Sequence, residues 1–313
     1  MELYEQYSPD FLTIGAGKSG TTSLNNYLEQ HPDIFFSKRK ETNFFSYELM
    51  NPADFKEKEE LEYYKNSIIN IEEYLNLFIH IPPNKIKGEA SNTYLYNPNA
   101  ANRIKHYFPN IKLIAIVRQP ADRLYSRYLH LLRENRKDEV NTFSELLNKE
   151  SIWWRRSDLI EEGFYYKHLK KYYEIFPIEN IKVIVYDEFR SNVNEVMNNV
   201  YKFLNVYDSF KPNTTVKLNQ SGVIRNKRID KLIGGKSIIL KPFKLLLPSL
   251  YYKTKNNLAI RSWLNNLRSK NMVKPKPDSE LMRYLTLDVY KDDILLLQDL
   301  IQKDLSNWIT KWN

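Results

Sequence analysis

The sequence predicts an α/β fold of the P-loop-like, three-layer kind, with a central parallel sheet of about four or five strands flanked by helices. Short apolar runs alternate along the chain with segments of helical period, which is the pattern of successive β-α-β units. Residues 112–117 (Lys-Leu-Ile-Ala-Ile-Val) are almost wholly apolar, as expected of a parallel strand buried on both faces. A loop of Gly, Lys, Ser and Thr joins the first predicted strand to the helix after it.

The predicted elements begin at residue 11. Strands are expected at residues 11–15, 34–36, 85–90, 112–117 and 181–186. The first helix covers residues 21–30, and Pro32 ends it because proline disfavours a helical residue before it. Further helices are expected within 51–80, at 99–108, from Pro120, as a pair within 140–176, from residue 192, and within 278–312.

The 313 residues show no repeat and no low-complexity linker, so we expect one domain over residues 1–313. The part from about residue 230 to 313 is expected to be a helical extension that closes this domain. Residues 237–252 are apolar but interrupted by Pro242 and Pro248. This interruption favours a lid or a helix packed on the core over a peripheral membrane contact, which stays open as an alternative.

Composition limits the function classes. A net charge of +9 favours an anionic partner, without choosing among nucleotides, acidic glycans, nucleic acid and anionic membranes. The absence of cysteine excludes disulfides, thiolate zinc sites and cysteine nucleophiles, and the five histidines lack metal-ligand spacing, so no metal is expected. The polar first ten residues are unlike a signal peptide and no run of 18 apolar residues occurs, so we expect a soluble, cytoplasmic protein.

The loop after the first strand is expected to hold a phosphate group. It reads Gly15-Ala16-Gly17-Lys18-Ser19-Gly20-Thr21-Thr22-Ser23. Backbone N–H groups and the positive end of a helix dipole converge there, and Lys18 adds a full charge. A Walker A loop has its lysine after the last glycine, whereas Lys18 precedes Gly20. The spacing G-x-G-x-x-G also fits, but a lysine is out of place in a dinucleotide-binding loop of that kind.

A second anion site is expected at the end of the strand at residues 112–117. Arg118 follows this strand directly, and Ser126 lies eight residues later in the next helix. Open α/β sheets bind ligands at the carboxyl ends of their strands, and arginine can bind a phosphate through two hydrogen bonds. Two phosphate sites on one sheet fit a nucleotide with phosphates at both ends.

These two motifs closely resemble those of sulfotransferases that use 3′-phosphoadenosine 5′-phosphosulfate (PAPS), above all the heparan sulfate and bacterial carbohydrate enzymes. The resemblance implies a bacterial enzyme that needs no metal and releases adenosine 3′,5′-bisphosphate. Its acceptor would be a hydroxyl group, or with less support an amine, of a carbohydrate or glycolipid, and nucleic acid would not be a partner. Cofactor contacts are implied for Gly17, Lys18, Ser19, Gly20, Thr21, Thr22 and Ser23 at the 5′ end and for Arg118 and Ser126 at the 3′-phosphate.

The resemblance also implies a catalytic base. In heparan sulfate sulfotransferases a glutamate three residues before a Phe-Phe pair takes the acceptor proton, and Glu41 has this spacing. Lys18 would neutralise charge on the bridging and leaving oxygens, and Lys40 would lower the pKa of Glu41 or contact an acidic acceptor. Glu89 is the rival base, since it ends a strand where cytosolic sulfotransferases carry a histidine. Its alternative role is to orient Lys18 or a substrate hydroxyl.

Weaker features complete the predicted site. Tyr165 follows a Gly-x-Tyr helix start like that of the family, and Arg225 and Lys227 fall where the family has a basic loop over the 3′-phosphate and adenine. Trp153, Trp154 and Arg155 form either an acceptor-binding patch or a half-buried helix.

Two other functions stay open. A P-loop-type nucleotide kinase would need a lysine after Gly20 and a metal-binding aspartate at a strand end, and neither is found. A non-catalytic polyanion-binding protein would bind heparin without regard to nucleotide.

Overall fold

A five-stranded sheet lies at the centre of the computed structural model, which describes residues 7–134, 140, 142–214, 222–226 and 270–312. Its strands are β1 (Phe11–Gly15), β2 (Ile34–Phe36), β3 (Ile86–Ala90), β4 (Lys112–Val117) and β5 (Ile181–Val185). They lie in the order β2-β3-β1-β4-β5, and every neighbouring pair is parallel. The predicted α/β fold with a parallel sheet of this size is therefore confirmed.

Helices follow the strands in the predicted alternation. They are α1 (Thr21–Glu29), α2 (Phe44–Tyr47), α3 (Lys58–Lys65), α4 (Ile71–Leu75), α5 (Thr93–Tyr96), α6 (Ala100–Tyr107), α7 (Pro120–Arg133), α8 (Ile152–Arg155), α9 (Tyr165–Ile175), α10 (Tyr186–Ser191), α11 (Val193–Leu204), α12 (Ser279–Tyr284), α13 (Lys291–Ile301) and α14 (Ser306–Thr310). The expected pair of helices within 140–176 is replaced by 3₁₀ turns, the four-residue α8 and the eleven-residue α9. Tyr186, expected to end β5, begins α10 instead.

The sheet separates two hydrophobic clusters, as the side-chain alternation of β4 shows. Leu113, Ala115 and Val117 belong to one cluster, whereas Ile114 and Ile116 belong to the other. Successive side chains of a strand point to opposite faces, so β4 is buried on both sides. Helices α1 and α11 cover the second face, and α6, α7, α9 and the C-terminal helices cover the first.

Strands β1 and β3 approach each other closely at Gly88. A Cβ built on Gly88 would lie 2.1 Å from Cζ of Phe11, so no larger residue fits there without displacing the ring. The register pairs Phe11 with Gly88 and Thr13 with Ala90. The carboxyl ends of β1 and β3 therefore lie side by side, and the turns that follow them meet at the same edge of the sheet.

The C-terminal helices pack into the first hydrophobic cluster. Tyr290 Oη donates to the Ile160 carbonyl at 2.8 Å, and Gln119 Nε2 donates to Thr286 Oγ1 at 2.8 Å. Two short antiparallel strands, β6 (Val223–Ile224) and β7 (Met272–Val273), precede these helices. Residues 237–252, predicted as a lid, core helix or membrane contact, lie outside the described residues. Within the described ranges, no helix has the length and apolar character to cross a membrane.

Candidate functional site

A cavity of about 350 Å³ opens where the loops after β1, β3 and β4 meet. It brings together residues that are far apart in the sequence, including both predicted phosphate sites and the predicted base. Its wall is formed by Gly17, Lys18, Gly20, Thr21, Thr22, Ser23, Glu41, Tyr63, Asn92, Thr93, Tyr96, Arg118, Ser126, Arg127, His130, Asp158, Glu162 and Tyr186. The position agrees with the rule that open α/β sheets bind ligands at the carboxyl ends of their strands.

The loop after β1 delivers the N-terminus of α1 to this cavity. Gly20 precedes the helix with φ of 104°, a left-handed conformation that suits glycine, and Lys18 is also left-handed with φ of 65°. The first turn of α1 is Thr21-Thr22-Ser23 and carries no acidic side chain. The helix dipole and these hydroxyl groups therefore make this end of the cavity favourable for an anion.

Lys18 lies among other cations at the same end. Burial, followed by the positive charges of Arg127, Arg133 and Arg118, lowers the pKa of Lys18 to about 7. Arg118 Nη1 donates to the Lys18 carbonyl at 3.1 Å, and its guanidinium lies 4.9 Å from the centre of the Tyr186 ring. An anion bound here would stabilise the charged form of Lys18. This end of the cavity therefore suits an anion, and Lys18 is only partly charged when no anion is bound.

Glu41 also lines the cavity. Its Oε2 accepts a hydrogen bond from the backbone N–H of Asn92 at 2.9 Å, and its Oε1 accepts one from Asn92 Nδ2 at 2.8 Å. Although the side chain is open to the cavity, the surrounding protein desolvates it and raises the pKa of Glu41 to about 7, an effect that the Asn92 N–H partly opposes. A carboxylate with a pKa near 7 suits a general base at neutral pH.

Glu89 lies behind this wall. Its side chain is fully buried and accepts hydrogen bonds from Ser91 Oγ at 2.6 Å and Tyr94 Oη at 3.0 Å. Burial raises the pKa of Glu89 to about 7, opposed by these hydroxyl groups. A carboxylate enclosed in this way cannot reach an acceptor, so the prediction of Glu89 as the rival base is wrong.

Other predicted cofactor contacts are only partly brought together. Ser126 lines the cavity with Arg118, but Ser19 and Tyr165 are fully buried in the core. Arg225 is exposed beside β6, and Lys227 lies outside the described residues. Direct donor contacts through Ser19 and Tyr165 are thus not supported, since both side chains lie behind the cavity wall.

The predicted acceptor patch is also only partly available. Trp153 is completely buried, and its Nε1 donates to the Thr142 carbonyl at 3.1 Å, so a sugar cannot stack on it and this part of the prediction is wrong. Trp154 is half-buried, and exposed Arg155 forms an ion pair with Glu57 at 3.0 Å. Lys40 is exposed next to Glu41 rather than on the cavity wall.

Sequence reasoning missed a set of buried ion pairs in and behind the wall of the cavity. Arg123 Nη1 lies 2.6 Å from Oε2 of Glu162, whose Oε1 accepts from the Gly17 N–H at 2.5 Å. Arg127 forms an ion pair with Asp158 and donates to Tyr63 Oη at 2.8 Å. From sequence, both arginines are equally consistent with surface ion pairs. Their spacing of four residues, on the same helical face, is the signal that could have grouped them.

The arginines also determine the charge state of Asp158. Burial alone would raise the pKa of Asp158, but Arg127 and Arg156 hold it well below its usual range, so Asp158 stays ionised. In the part of the chain that the structure describes, no three His, Asp or Glu side chains are grouped to hold a metal ion.

The chain is similar to known proteins in sequence and in fold. A family model described as "Sulfotransferase domain" matches residues 8–220, which include the loop, Glu41, Arg118 and Ser126. The bifunctional heparan sulfate N-deacetylase/N-sulfotransferase 1 of Caenorhabditis briggsae is 30% identical over 220 residues, covering 66% of this chain and 24% of that protein. The membrane-associated sulfotransferase kil1 of Dictyostelium discoideum is 31% identical over 147 residues, covering 46% of this chain and 28% of that protein.

The chain therefore spans about a quarter of the length of these curated relatives. Among solved structures, the crystal structure of a sulfotransferase from Alicyclobacillus acidocaldarius is similar over nearly the whole chain. It has a TM-score of 0.63 and 27% sequence identity, and the match covers 96% of this chain and 98% of that one.

Proposed function

Because the chain belongs to the sulfotransferase family, we propose that it transfers the sulfuryl group of PAPS to a hydroxyl group of a carbohydrate or glycolipid. The observation that carries this proposal is the shared cavity. Lys18 and the N-terminus of α1, Arg118 with Ser126, and Glu41 all line it. One cavity thus contains groups suited to both ends of the donor and to an acceptor proton.

The residues present fit the donor. Two phosphate-sized anionic groups need separate sets of cations and N–H or O–H donors, and the cavity supplies Lys18 with the first turn of α1 for one and Arg118 with Ser126 for the other. The volume of about 350 Å³ is within the usual range for small-molecule sites. We assign the first set to the 5′-phosphosulfate and the second to the 3′-phosphate.

The donor supplies an activated sulfuryl group, and the chain's own residues move the proton and balance the charge. Glu41 takes the proton of the acceptor O–H, so that the oxygen lone pair can form the new S–O bond. The S–O bond to the phosphate breaks as this bond forms, and its electron pair stays on the phosphate oxygen. Lys18, once charged, stabilises that oxygen. Arg118 and Ser126 hold the 3′-phosphate and so fix the position of the nucleotide.

The acceptor class follows from the acceptor side of the cavity and from the relatives. Among the residues that line the cavity, Tyr63 and Tyr96 carry aromatic rings and Asn92 and Thr93 carry hydrogen-bonding groups, a mixture that suits a sugar. Heparan sulfate stands in the name of the Caenorhabditis briggsae relative, which supports a carbohydrate. That relative is named an N-sulfotransferase, so an amine is the second acceptor group to test.

Replacing the base tests the assignment. With sulfur-labelled PAPS and a panel of glycans, glycolipids, amines and phenols, the wild type should label a carbohydrate. Glu41→Gln should lose about 10²–10⁴-fold in kcat because a general base contributes on that order. Its affinity for adenosine 3′,5′-bisphosphate should stay close to that of the wild type, since Glu41 lies on the acceptor side.

Glu73→Gln is the matched control, because Glu73 is an exposed carboxylate paired with Arg39. It should transfer sulfate at the wild-type rate. Wild-type activity in Glu41→Gln would refute the role of Glu41. Salt-sensitive heparin binding with no transfer to any acceptor would favour a polyanion-binding protein, and stabilisation by ATP–Mg²⁺ instead of adenosine 3′,5′-bisphosphate would favour a kinase.

A further inference from the structure

Asn92 contacts both oxygens of the Glu41 carboxylate. The residue follows β3 and Ser91 and precedes α5, and its backbone N–H and its side-chain amide each donate to a different oxygen, at 2.9 and 2.8 Å. Both distances are those of ordinary, well-formed hydrogen bonds. Since a carboxylate held at both oxygens cannot rotate freely, the two bonds from Asn92 restrict the orientation of the carboxylate plane.

The backbone of Glu41 is tied to the same turn. Its N–H donates to the carbonyl of Ala90 at 3.1 Å, and its φ of 52° is a left-handed conformation unusual for a residue with a side chain. Such a conformation persists only where the surroundings over-determine it. The turn after β3 therefore fixes Glu41 at the main chain and at the carboxylate.

This turn rests on buried groups. Ser91 Oγ donates to Glu89 at 2.6 Å and accepts from the Asn43 N–H at 2.9 Å, which pins the segment after Glu41 to the same turn. Asn92 also lies beside the phosphate-binding loop, because a Cβ built on Gly17 would be 3.7 Å from its Nδ2. Asn92 thus stands between the loop that carries Lys18 and the carboxylate on the acceptor side.

We propose that Asn92 is a positioning residue that orients the Glu41 carboxylate toward the acceptor and sets its distance from the phosphate-binding loop. This inference rests on the proposed function of Glu41 as the base. Both bonds are donated to the ionised carboxylate, so they also favour the form that can accept a proton. Loss of the amide should misplace the carboxylate and favour its protonated form.

Asn92→Ala removes the amide and keeps the backbone N–H. We expect kcat to fall by about 10- to 100-fold, as when a reacting group is misplaced by a fraction of an ångström to one ångström, while KM for the donor changes little. The acid limb of the kcat–pH profile should move to higher pH. Asn92→Asp, which replaces a donor by a second carboxylate of the same shape, should move it further.

Asn97→Ala is the matched control, since Asn97 ends the same short helix and its amide donates to the Ser46 carbonyl at 3.1 Å, away from the cavity. Glu89, Arg127 and Lys40 act electrostatically on Glu41, and Lys18, Arg118, His130, Asp158 and Glu162 line the same cavity. The substitutions alter none of these charged groups. A shift of the acid limb of the kcat–pH profile in Asn92→Ala but not in Asn97→Ala therefore reports the loss of the Asn92 amide.

A direct titration of the Glu41 carboxyl by carbon-13 NMR, in the wild type and in both Asn92 variants, makes the outcome independent of turnover. A pKa of Glu41 that rises in both variants supports the proposal, and an unchanged pKa with an unchanged kcat overturns it. If Asn92→Ala does not fold, the isosteric Asn92→Asp provides the same readouts. If Glu41→Gln retains full activity, the proposed base is wrong, while the NMR titration still decides whether Asn92 holds the carboxylate.

Discussion

The charge state of Lys18 leads to a quantitative prediction for donor binding. Its pKa of about 7, against an ordinary value of 10.5, means that only about half of the molecules carry this charge at pH 7. The 5′-phosphate bound beside Lys18 would raise its pKa toward the ordinary value and keep the side chain charged. Binding of adenosine 3′,5′-bisphosphate should therefore take up a proton, and affinity should fall as the pH rises above 7.

The size of this effect follows from the two protonation states. Between pH 7 and pH 9 the charged fraction of Lys18 in the free protein falls from about one half to about one hundredth, so the affinity should fall about 50-fold, or about 2.3 kcal/mol. The phosphates contribute little to this change because their second ionisation is nearly complete by pH 7. Glu41, whose pKa is also about 7, adds a negative charge in the same range, so a matched variant is needed.

Lys18→Arg is that variant, because arginine keeps its charge at every pH in the window. Isothermal titration calorimetry in two buffers of different ionisation enthalpy gives the affinity and the number of protons taken up. The wild type should take up about half a proton at pH 7 and about one at pH 9, whereas Lys18→Arg should take up less and show a much flatter pH dependence. Equal slopes in the two proteins would show that Lys18 does not titrate in the free cavity.

Two further predictions concern single side chains. Arg118→Ala should weaken binding of adenosine 3′,5′-bisphosphate by about 1.5–3 kcal/mol, the value of a hydrogen bond to a charged group, whereas binding of adenosine 5′-phosphate should change little. Equal losses for both nucleotides would contradict the assignment of Arg118 to the 3′-phosphate. Trp153→Ala should lower the free energy of unfolding, measured in urea, by about 3–5 kcal/mol because Trp153 is fully buried. Trp154→Ala should lower it by less, because Trp154 is only half-buried. An equal loss of unfolding free energy in the two variants would contradict this reasoning.

The strands and the phosphate-binding loop could be predicted because their signals are local. The apolar run at residues 112–117 and the Lys-Ser-Gly-Thr-Thr order after β1 each consist of consecutive residues, so they can be recognised without knowing the fold. The parallel sheet then places the ends of β1 and β4 at one edge, which is why Lys18, Arg118 and Ser126 line a common cavity as the two motifs suggest.

The environment of each charged residue could not be predicted in the same way. The contact of Glu162 with the Gly17 N–H joins residues 145 positions apart, and no local pattern identifies such a pair. Trp153 shows the same limit, because a Trp-Trp-Arg run reads equally well as an exposed patch or as a buried edge. Its indole N–H donates to the Thr142 carbonyl eleven residues away, and its ring packs against Tyr128 and Phe143.

Glu41 and Glu89 show why titration alone does not identify the base. Burial raises the pKa of each to about 7, so the pKa does not distinguish the two carboxyl groups as candidate bases. They differ in what surrounds the oxygens. Hydroxyl groups of Ser91 and Tyr94 enclose Glu89 in the protein interior, whereas Glu41 is held by donors on one side and opens to the cavity on the other. Since Ser91 also anchors the segment after Glu41, the buried carboxylate supports the exposed one, and the two acids that compete for one role in the sequence have complementary positions in the fold.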